Sequence, residues 1–327
     1  MNGAEPVKWA EVEAARDPSE VARFADDVLR GLSRPRKATP PKWLYDARGS
    51  ALYELICEQP EYYPPRIETA LLQERGGELA AAIGPGALVF EYGAGSAKKT
   101  ALLLAALSRP AGYVPVDISP AALAHAADSI GARFPSLPLR PLVADFTAGV
   151  ALPLAGLPCR RRVAFFPGST IGNFDPPEAT ALLARMARDA GPGGRLVVGV
   201  DHPKSPRVLV DAYDDARGVT AAFDLNLLAR MNRELGADFR LPAFRHRAVW
   251  NARLSRIEMH LVAREAHAVR VAGRAFAFTR GESLHTESAY KWDPPAFDAL
   301  AARAGWEPEA AFAERRGWFS VRLYRAR

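Results

Sequence analysis

The chain has 327 residues, of which 49% are hydrophobic and 24% are charged, and its formal net charge is +6. This length predicts two domains, or one large domain with an insertion. The ordinary composition excludes a disordered, collagen-like or coiled-coil protein. The positive charge indicates an anionic partner, without saying whether that partner is a nucleic acid, a lipid surface, or a small carboxylate or phosphate.

The cysteine content and the N-terminal segment indicate the compartment. Cys57 and Cys159 are too few for a disulfide framework and too far apart for a metal motif, so we expect a reducing compartment and no metal site. The first 20 residues predict neither a secretory signal nor a transit peptide. No apolar run approaches the roughly 18 residues that a membrane span needs. We therefore expect a cytoplasmic monomer with no membrane partner.

The predicted elements change character along the chain. Helices are predicted at about 21–32, 49–57 and 68–83, with the proline-rich connector SRPRKATPPK after the first. From there to residue 201, short apolar runs alternate with helical segments, which is the pattern of βαβ units in a parallel sheet. A helix over 212–235 and antiparallel strands over 244–278 follow, and a helix in PAFDALAARAGW and a strand in GWFSVRLYRA end the chain.

These elements predict an α/β protein with a Rossmann-like, doubly wound core and a second, smaller α+β domain. We expect residues 68–201 to form the core and residues 290–327 to complete it. The smaller domain is expected from two separated segments, residues 1–67 and 202–289.

A glycine-containing turn follows the first strand of the predicted core. In VFEYGAGSAKKT the strand ends on Glu91 and turns through Gly93 and Gly95, which allow a ligand close to the backbone. Asp117 ends the next strand, about 20 residues further on, the spacing at which an acid accepts hydrogen bonds from ribose hydroxyls. This spacing predicts a nucleoside-containing cofactor but fits a nicotinamide enzyme as well.

Two further positions separate these cofactors. Lys98 occupies the place of the last glycine in the G-x-G-x-x-G fingerprint, which disfavours a pyrophosphate clamp and hence a nicotinamide oxidoreductase. Asp145 ends another strand and is followed by Phe146, a pair suited to an adenine amino group and ring. S-adenosylmethionine has no phosphates, so we predict it as the cofactor. The alternative is that Asp117 and Asp145 are simple helix N-caps or loop acids.

Seven strings in the same order resemble the ergothioneine-pathway L-histidine Nα-methyltransferase family. The resemblance runs from about Pro40 to the C-terminus. It implies trimethylation of the α-amino group of histidine to hercynine by a methyltransferase core with a distinct substrate domain. The strings are KWLYDARGSALYELICEQPEYYPPR, YVPVDIS, VADF, FFPGSTIGNF, AYDDARGVTAAFDLN, SRIEMHLVA and HTESAYKW.

The resemblance also implies roles for individual residues. Asn173 and Tyr213 would hold the substrate carboxylate, Tyr62 would lie toward the imidazole, and Tyr45 and Asn173 would orient the amine as the catalytic pair. The imidazole pocket would contain Met259 and Glu287, and the cofactor strings contain Gly93, Gly95, Lys98, Asp117, Asp145 and Phe146.

Two residues depart from the family pattern. Ala289, which we place in the substrate site, stands where the family commonly has a serine that bonds the imidazole, and Asp224 stands where an asparagine is expected. Losing one such hydrogen bond costs about 0.5–1.5 kcal/mol. Methylation of a different or related amino acid therefore stays open as an alternative.

The basic tracts RPRK and CRRR allow a third interpretation, an RNA-binding methyltransferase. They are short and are not interleaved with the aromatic residues of a base-stacking platform. We therefore expect an amino acid as the small-molecule partner, and no nucleic acid.

Overall fold

The computed structural model describes residues 18–327, so the predictions on the first 17 residues lie outside the described part. Its α-helices are α1 (Pro18–Leu32), α2 (Ala47–Cys57), α3 (Pro64–Ile83), α4 (Lys98–Ala106), α5 (Pro120–Arg133), α6 (Pro176–Ala190), α7 (Pro206–Tyr213), α8 (Val219–Leu235) and α9 (Pro294–Arg303). Its strands are β1 (Ala87–Tyr92), β2 (Gly112–Asp117), β3 (Leu142–Val143), β4 (Arg161–Phe166), β5 (Arg195–Asp201), β6 (Phe244–Asn251), β7 (Arg256–Ala263), β8 (His267–Val271), β9 (Arg274–Phe278), β10 (Ser283–Tyr290), β11 (Trp306–Ala313) and β12 (Phe319–Ala326).

A seven-stranded sheet in the order β11-β12-β5-β4-β1-β2-β3 forms the centre of the molecule. Strands β1 to β5 are parallel, and β12 and β11 add an antiparallel edge. All six residues of β1 are buried, as expected for a strand covered on both faces. The doubly wound α/β prediction is confirmed. The strand order reverses between β1 and β4, which leaves a crevice outside their carboxyl ends.

The smaller sheets are antiparallel. Strands β10, β7 and β6 form one sheet and β8 and β9 form the other. Strands β6 to β9 confirm the antiparallel strands predicted over 244–278, whereas β10 was not predicted. Helix α8 packs on β6 and β7, and α2 packs on α8. The predicted domain boundaries stay a prediction.

Two parts of the sequence-based assignment were wrong. The single helix predicted over 212–235 is broken, because α7 ends at Tyr213 and α8 begins only at Val219. Gly218 has a φ of +70°, and the Asp215 carboxylate accepts hydrogen bonds from the first two backbone N–H groups of α8, at 2.9 and 2.7 Å. The C-terminal helix ends at Arg303, and the following residues form β11, which was missed.

The third predicted helix begins four residues earlier than expected, because Pro64 and Pro65 occupy its first turn, where a missing N–H costs nothing. Within residues 18–327, no helix is long and apolar enough to cross a bilayer.

Candidate active site

A cavity of about 910 Å³ opens at the carboxyl ends of β1, β2 and β4. It extends from the turn after β1 to the inner face of the β10–β7 pair. All but one of the predicted site residues line it: Tyr45, Tyr62, Gly93, Gly95, Lys98, Asp117, Asp145, Phe146, Asn173, Tyr213, Met259 and Glu287. The exception is Ala289.

The turn after β1 presents bare backbone to the cavity. Gly93 and Gly95 have φ angles of +80° and +49°, values that favour glycine. A Cβ on Gly95 would meet no atom within 4 Å, and one on Gly93 would lie 3.8 Å from the Phe146 ring. The predicted glycine turn therefore forms an open cradle beside an aromatic ring.

Asp117 lies next to this cradle, and its carboxylate is oriented by backbone. One oxygen accepts a hydrogen bond from the Ser119 N–H at 2.9 Å and the other from the Gly95 N–H at 3.3 Å. Burial raises the pKa of Asp117 above its ordinary value, while these backbone bonds oppose the shift. Ser119, not Asp117, caps α5, so the N-cap alternative for Asp117 is wrong.

Asp145 has a double role. Its Oδ1 accepts the Thr147 N–H at 2.9 Å and thereby caps a short 3₁₀ turn, so the N-cap interpretation is correct for this residue. Its Oδ2 accepts from the Lys42 ammonium at 3.0 Å. Burial opposes the charge, but hydrogen bonds from Thr147 and Lys42 hold the pKa of Asp145 below its ordinary value. Phe146 stacks on Tyr92 with ring centroids 5.3 Å apart and forms a wall of the cavity.

The other two polar residues near the turn differ in exposure. The Lys98 side chain is 76% exposed and pairs with Glu54 at 3.2 Å, which places it at the rim. Glu91 is buried, and its Oε2 accepts hydrogen bonds from Thr100, at 2.6 Å, and from Tyr113. Burial raises the pKa of Glu91 to about 8. Glu91 is thus engaged by core neighbours, unlike Asp117.

Five aromatic rings surround the opposite end of the cavity. Tyr45 contacts Phe223 and Tyr53 with centroid separations of 5.3 and 5.7 Å, and Tyr62 contacts Tyr213 at 5.7 Å. Burial raises the pKa of Tyr45 and of Tyr62 well above 10, so both phenols stay neutral. Sequence reasoning missed Tyr53 and Phe223, although both lie within the strings that carry the resemblance.

Glu287 and Met259 lie side by side, because they are register partners on β10 and β7. The Asn173 amide donates to Glu287 Oε1 at 2.9 Å, and the Tyr45 hydroxyl lies 3.4 Å from the same oxygen. Burial and then the charge of Asp224 raise the pKa of Glu287 to about 8. A carboxyl of this kind carries its proton at neutral pH and can donate or accept a hydrogen bond.

The two residues that depart from the family pattern lie behind the cavity wall. Ala289 is 5% exposed and does not line the cavity, so its predicted place in the substrate site is wrong. Asp224 is fully buried and lies 2.7 Å from His246 Nδ1. The other ring nitrogen of His246 donates to the Tyr213 carbonyl at 2.8 Å. Asp224 thus supports the backbone of Tyr213.

A buried charge cluster next to Tyr213 also escaped sequence reasoning. Lys291 donates to the Tyr213 hydroxyl at 2.9 Å and pairs with Asp201 at 2.8 Å. The one signal that could have revealed it is the acid at the carboxyl end of β5, in RLVVGVD, at the same sheet edge as the glycine turn.

The doubly wound sheet, the glycine cradle with acids after two neighbouring strands, and the adjoining aromatic pocket define the class of S-adenosylmethionine-dependent methyltransferases. A family model described as a histidine-specific, S-adenosylmethionine-dependent methyltransferase matches residues 24–326. The chain belongs to this family.

Curated relatives agree with this assignment. The chain is 42% identical to a histidine N-alpha-methyltransferase of Mycolicibacterium smegmatis, with 91% of this chain and 93% of that protein covered. It is 39% identical to the protein of the same name from Mycobacterium tuberculosis, with the same coverage. A more distant relative, N-methyltransferase imqF of Aspergillus flavus, is 27% identical over 91% of this chain and 83% of that protein.

Proposed function

We propose that this chain transfers methyl groups from S-adenosylmethionine to the α-amino group of L-histidine and forms hercynine. The observation that carries the proposal is the single cavity that joins the glycine cradle to a pocket with a buried carboxyl, Glu287, beside Met259. A carboxyl beside a thioether side chain offers a hydrogen-bonding partner and an apolar wall to an imidazole, and both residues line the same cavity as the glycine cradle.

The cradle fits the methyl donor. The open space at Gly95 would admit the donor next to the backbone. The oriented carboxylate of Asp117 would accept from the ribose hydroxyls, and the Phe146 ring would pack on the adenine. When bound, S-adenosylmethionine supplies an electrophilic methyl group on a sulfonium. Asp145 would contribute an acceptor at the adenine, since each carboxylate oxygen has more than one lone pair.

The amino acid would be held by neutral groups. Burial raises the pKa of Tyr213, so its hydroxyl keeps its proton and can donate to a carboxylate. The Asn173 amide, which donates to Glu287 in the empty site, lines the same cavity as Tyr213 and would bind the carboxylate and the amine. Holding the amine in line with the methyl group is the main contribution that such a site makes to the rate.

Each transfer forms a nitrogen–carbon bond and breaks a carbon–sulfur bond, so the amine needs a free lone pair. The α-amino group of a free amino acid is an ammonium at neutral pH, so one proton leaves to solvent before each of the three transfers. Burial raises the pKa of Tyr45 well above 10, so its hydroxyl keeps its own proton and no phenolate is present to accept the proton of the amine. The aromatic faces of Tyr45, Tyr53 and Phe223 suit the growing ammonium through cation–π attraction.

The test is mass spectrometry of the products that the full chain forms from S-adenosylmethionine and a mixture of amino acids. We expect histidine carrying three methyl groups on the α-nitrogen. If the main methylated product comes from another amino acid, that amino acid replaces histidine as the proposed substrate. If no methylated amino acid forms at high enzyme concentration, the methyl-transfer reaction itself is contradicted.

We further propose that the enzyme works in the cytoplasm as a monomer and without nucleic acid. The two unpaired cysteines, each half-buried, support a reducing compartment. Light scattering of the purified chain would test the oligomeric state, and titration with a mixed RNA at several salt concentrations would test the absence of nucleic-acid binding.

A further inference from the structure

A buried ammonium lies directly behind the hydroxyl of Tyr213. Lys291 follows β10, is 2% exposed, and its Nζ lies 2.9 Å from the Tyr213 oxygen. An ammonium can only donate hydrogen bonds. The Tyr213 oxygen therefore accepts from Lys291, and its own hydrogen is left to point elsewhere. Because Tyr213 lines the cavity, this arrangement makes its hydroxyl a donor toward a ligand.

Asp201 keeps this ammonium charged and in place. Its carboxylate, fully buried at the end of β5, lies 2.8 Å from Lys291 Nζ and accepts the Tyr63 hydroxyl at 2.7 Å. Burial opposes the charge of Lys291, but the Asp201 carboxylate raises its pKa above the ordinary value.

A second lysine binds the same carboxylate without touching Tyr213. Lys204 Nζ lies 2.5 Å from Asp201 Oδ1 and donates to the Tyr63 hydroxyl and the His202 carbonyl. Burial lowers the pKa of Lys204 to about 8, which leaves it largely charged at neutral pH. Two ammonium groups thus share one buried carboxylate next to the cavity.

We propose that Lys291 is a positioning and specificity residue that fixes Tyr213 as a hydrogen-bond donor and selects acceptors with a free carboxylate. The inference rests on the proposed function, in which Tyr213 binds that carboxylate. A positive charge in a poorly solvated wall attracts a nearby anion more strongly than it would in water. An amine that lacks the carboxylate gains nothing from either effect.

The experiment measures the binding of L-histidine and of histamine, its analogue without a carboxylate, by calorimetry in the presence of S-adenosylhomocysteine. The full chain is compared with Lys291→Met and with Lys204→Met. We expect Lys291→Met to weaken histidine binding by about 10- to 100-fold, the range for a lost bond to a charged group, and to change histamine binding by less than about threefold. Lys204→Met, which removes a partner of Asp201 but not of Tyr213, should weaken histidine binding much less.

Steady-state kinetics provide a second measurement. Lys291→Met should raise KM for histidine while kcat falls much less, because the amine and the methyl donor keep their own contacts. If Lys291→Met does not fold, Lys291→Gln carries the test, since its amide keeps a neutral donor and should give an intermediate loss of histidine affinity. Equal weakening of histidine and histamine, or equal effects of the two lysine variants, would overturn the proposal.

Failure of the proposed function looks different in the same experiment. If the unmodified chain does not methylate histidine, the substrate assignment is contradicted. The comparison is then made between the amino acid that is methylated and its decarboxylated amine, with the same expected dependence on Lys291.

Discussion

At one end of the cavity, the groups that face a ligand are bare backbone and half-buried acids from consecutive βα connections, between Gly93 and Phe146. At the other end they are buried and half-buried side chains from segments far apart in the chain; Tyr45 and Glu287, for example, are 242 residues apart. The first end uses the fixed geometry of a parallel sheet. The second depends on how two sheets and several helices pack together.

A ligand-binding side chain can be oriented by the backbone or by other side chains, and the two ends of the cavity illustrate the two cases. The Asp117 carboxylate is oriented by N–H groups of its own and a neighbouring turn, so few other residues are needed to place it. Tyr213 is held at its carbonyl by His246 and at its hydroxyl by Lys291. A binding residue of the second kind depends on supporting side chains, and changes to those residues affect specificity without touching the ligand.

The largest effect on ligand affinity is expected at the end of the cavity that contains the glycine turn and Asp117, the cofactor end. Asp117→Ala removes an oriented carboxylate that would accept two ribose hydroxyls, and we expect S-adenosylhomocysteine affinity to fall by about 100-fold. Asp128→Ala, an exposed position on α5, is the matched control and should leave the affinity unchanged. Calorimetric titration measures both, and a fall of less than about fivefold for Asp117→Ala would mean that backbone alone holds this ligand.

The next largest effect is a pH dependence of histidine affinity at the end of the cavity that contains Glu287, the substrate end. Below about pH 8 the Glu287 carboxyl is protonated in the empty site. Free imidazole gains a proton below about pH 6.5, so in more acidic solution both partners carry a proton and one must leave on binding. Histidine affinity should therefore fall by up to tenfold per pH unit below about 6.5.

Glu287→Gln provides the control for this pH dependence. Its amide can donate or accept at any pH, so histidine affinity should change far less between pH 5 and pH 7. Calorimetry across this range compares the two proteins. Parallel curves would show that Glu287 does not bind the imidazole.

The smallest effect is expected at Ala289. Because Ala289 belongs to the buried core and does not line the cavity, Ala289→Ser should change the histidine KM by less than about threefold. A gain of tenfold would place the new hydroxyl at the imidazole and revive the interpretation based on sequence alone. Competition between histidine and other amino acids in one assay would show the same change as a shift in preference.

The two ends also differ in how well sequence predicts them. The glycine turn and Asp117 follow from spacing, because the strand–turn–helix pattern fixes where the carboxyl ends of parallel strands meet. Met259 and Glu287 could be placed only through the family resemblance, since a methionine in an alternating strand is usually core. Their adjacency depends on the register of β7 and β10.

The charge cluster could not be predicted in the same way. Lys291 is one of 43 basic residues and ordinarily would be assigned to the surface. Its partner Tyr213 is 78 residues away. The two meet because α7 packs on β6 and β7, and β7 pairs with β10, which Lys291 follows. The break between α7 and α8 was missed for a related reason: Asp215 and Gly218 are compatible with a surface helix until the cap that they form is seen.

The Asp224–His246 pair makes each of its two residues dependent on the other. A protonated His246 donates a charge-assisted hydrogen bond to the Asp224 carboxylate and compensates its burial. An aspartate without the histidine, fully buried at this position, would be an unpaired charge, which proteins do not tolerate cheaply. Replacing His246 alone should therefore destabilise the fold more than replacing both residues by apolar side chains of similar volume.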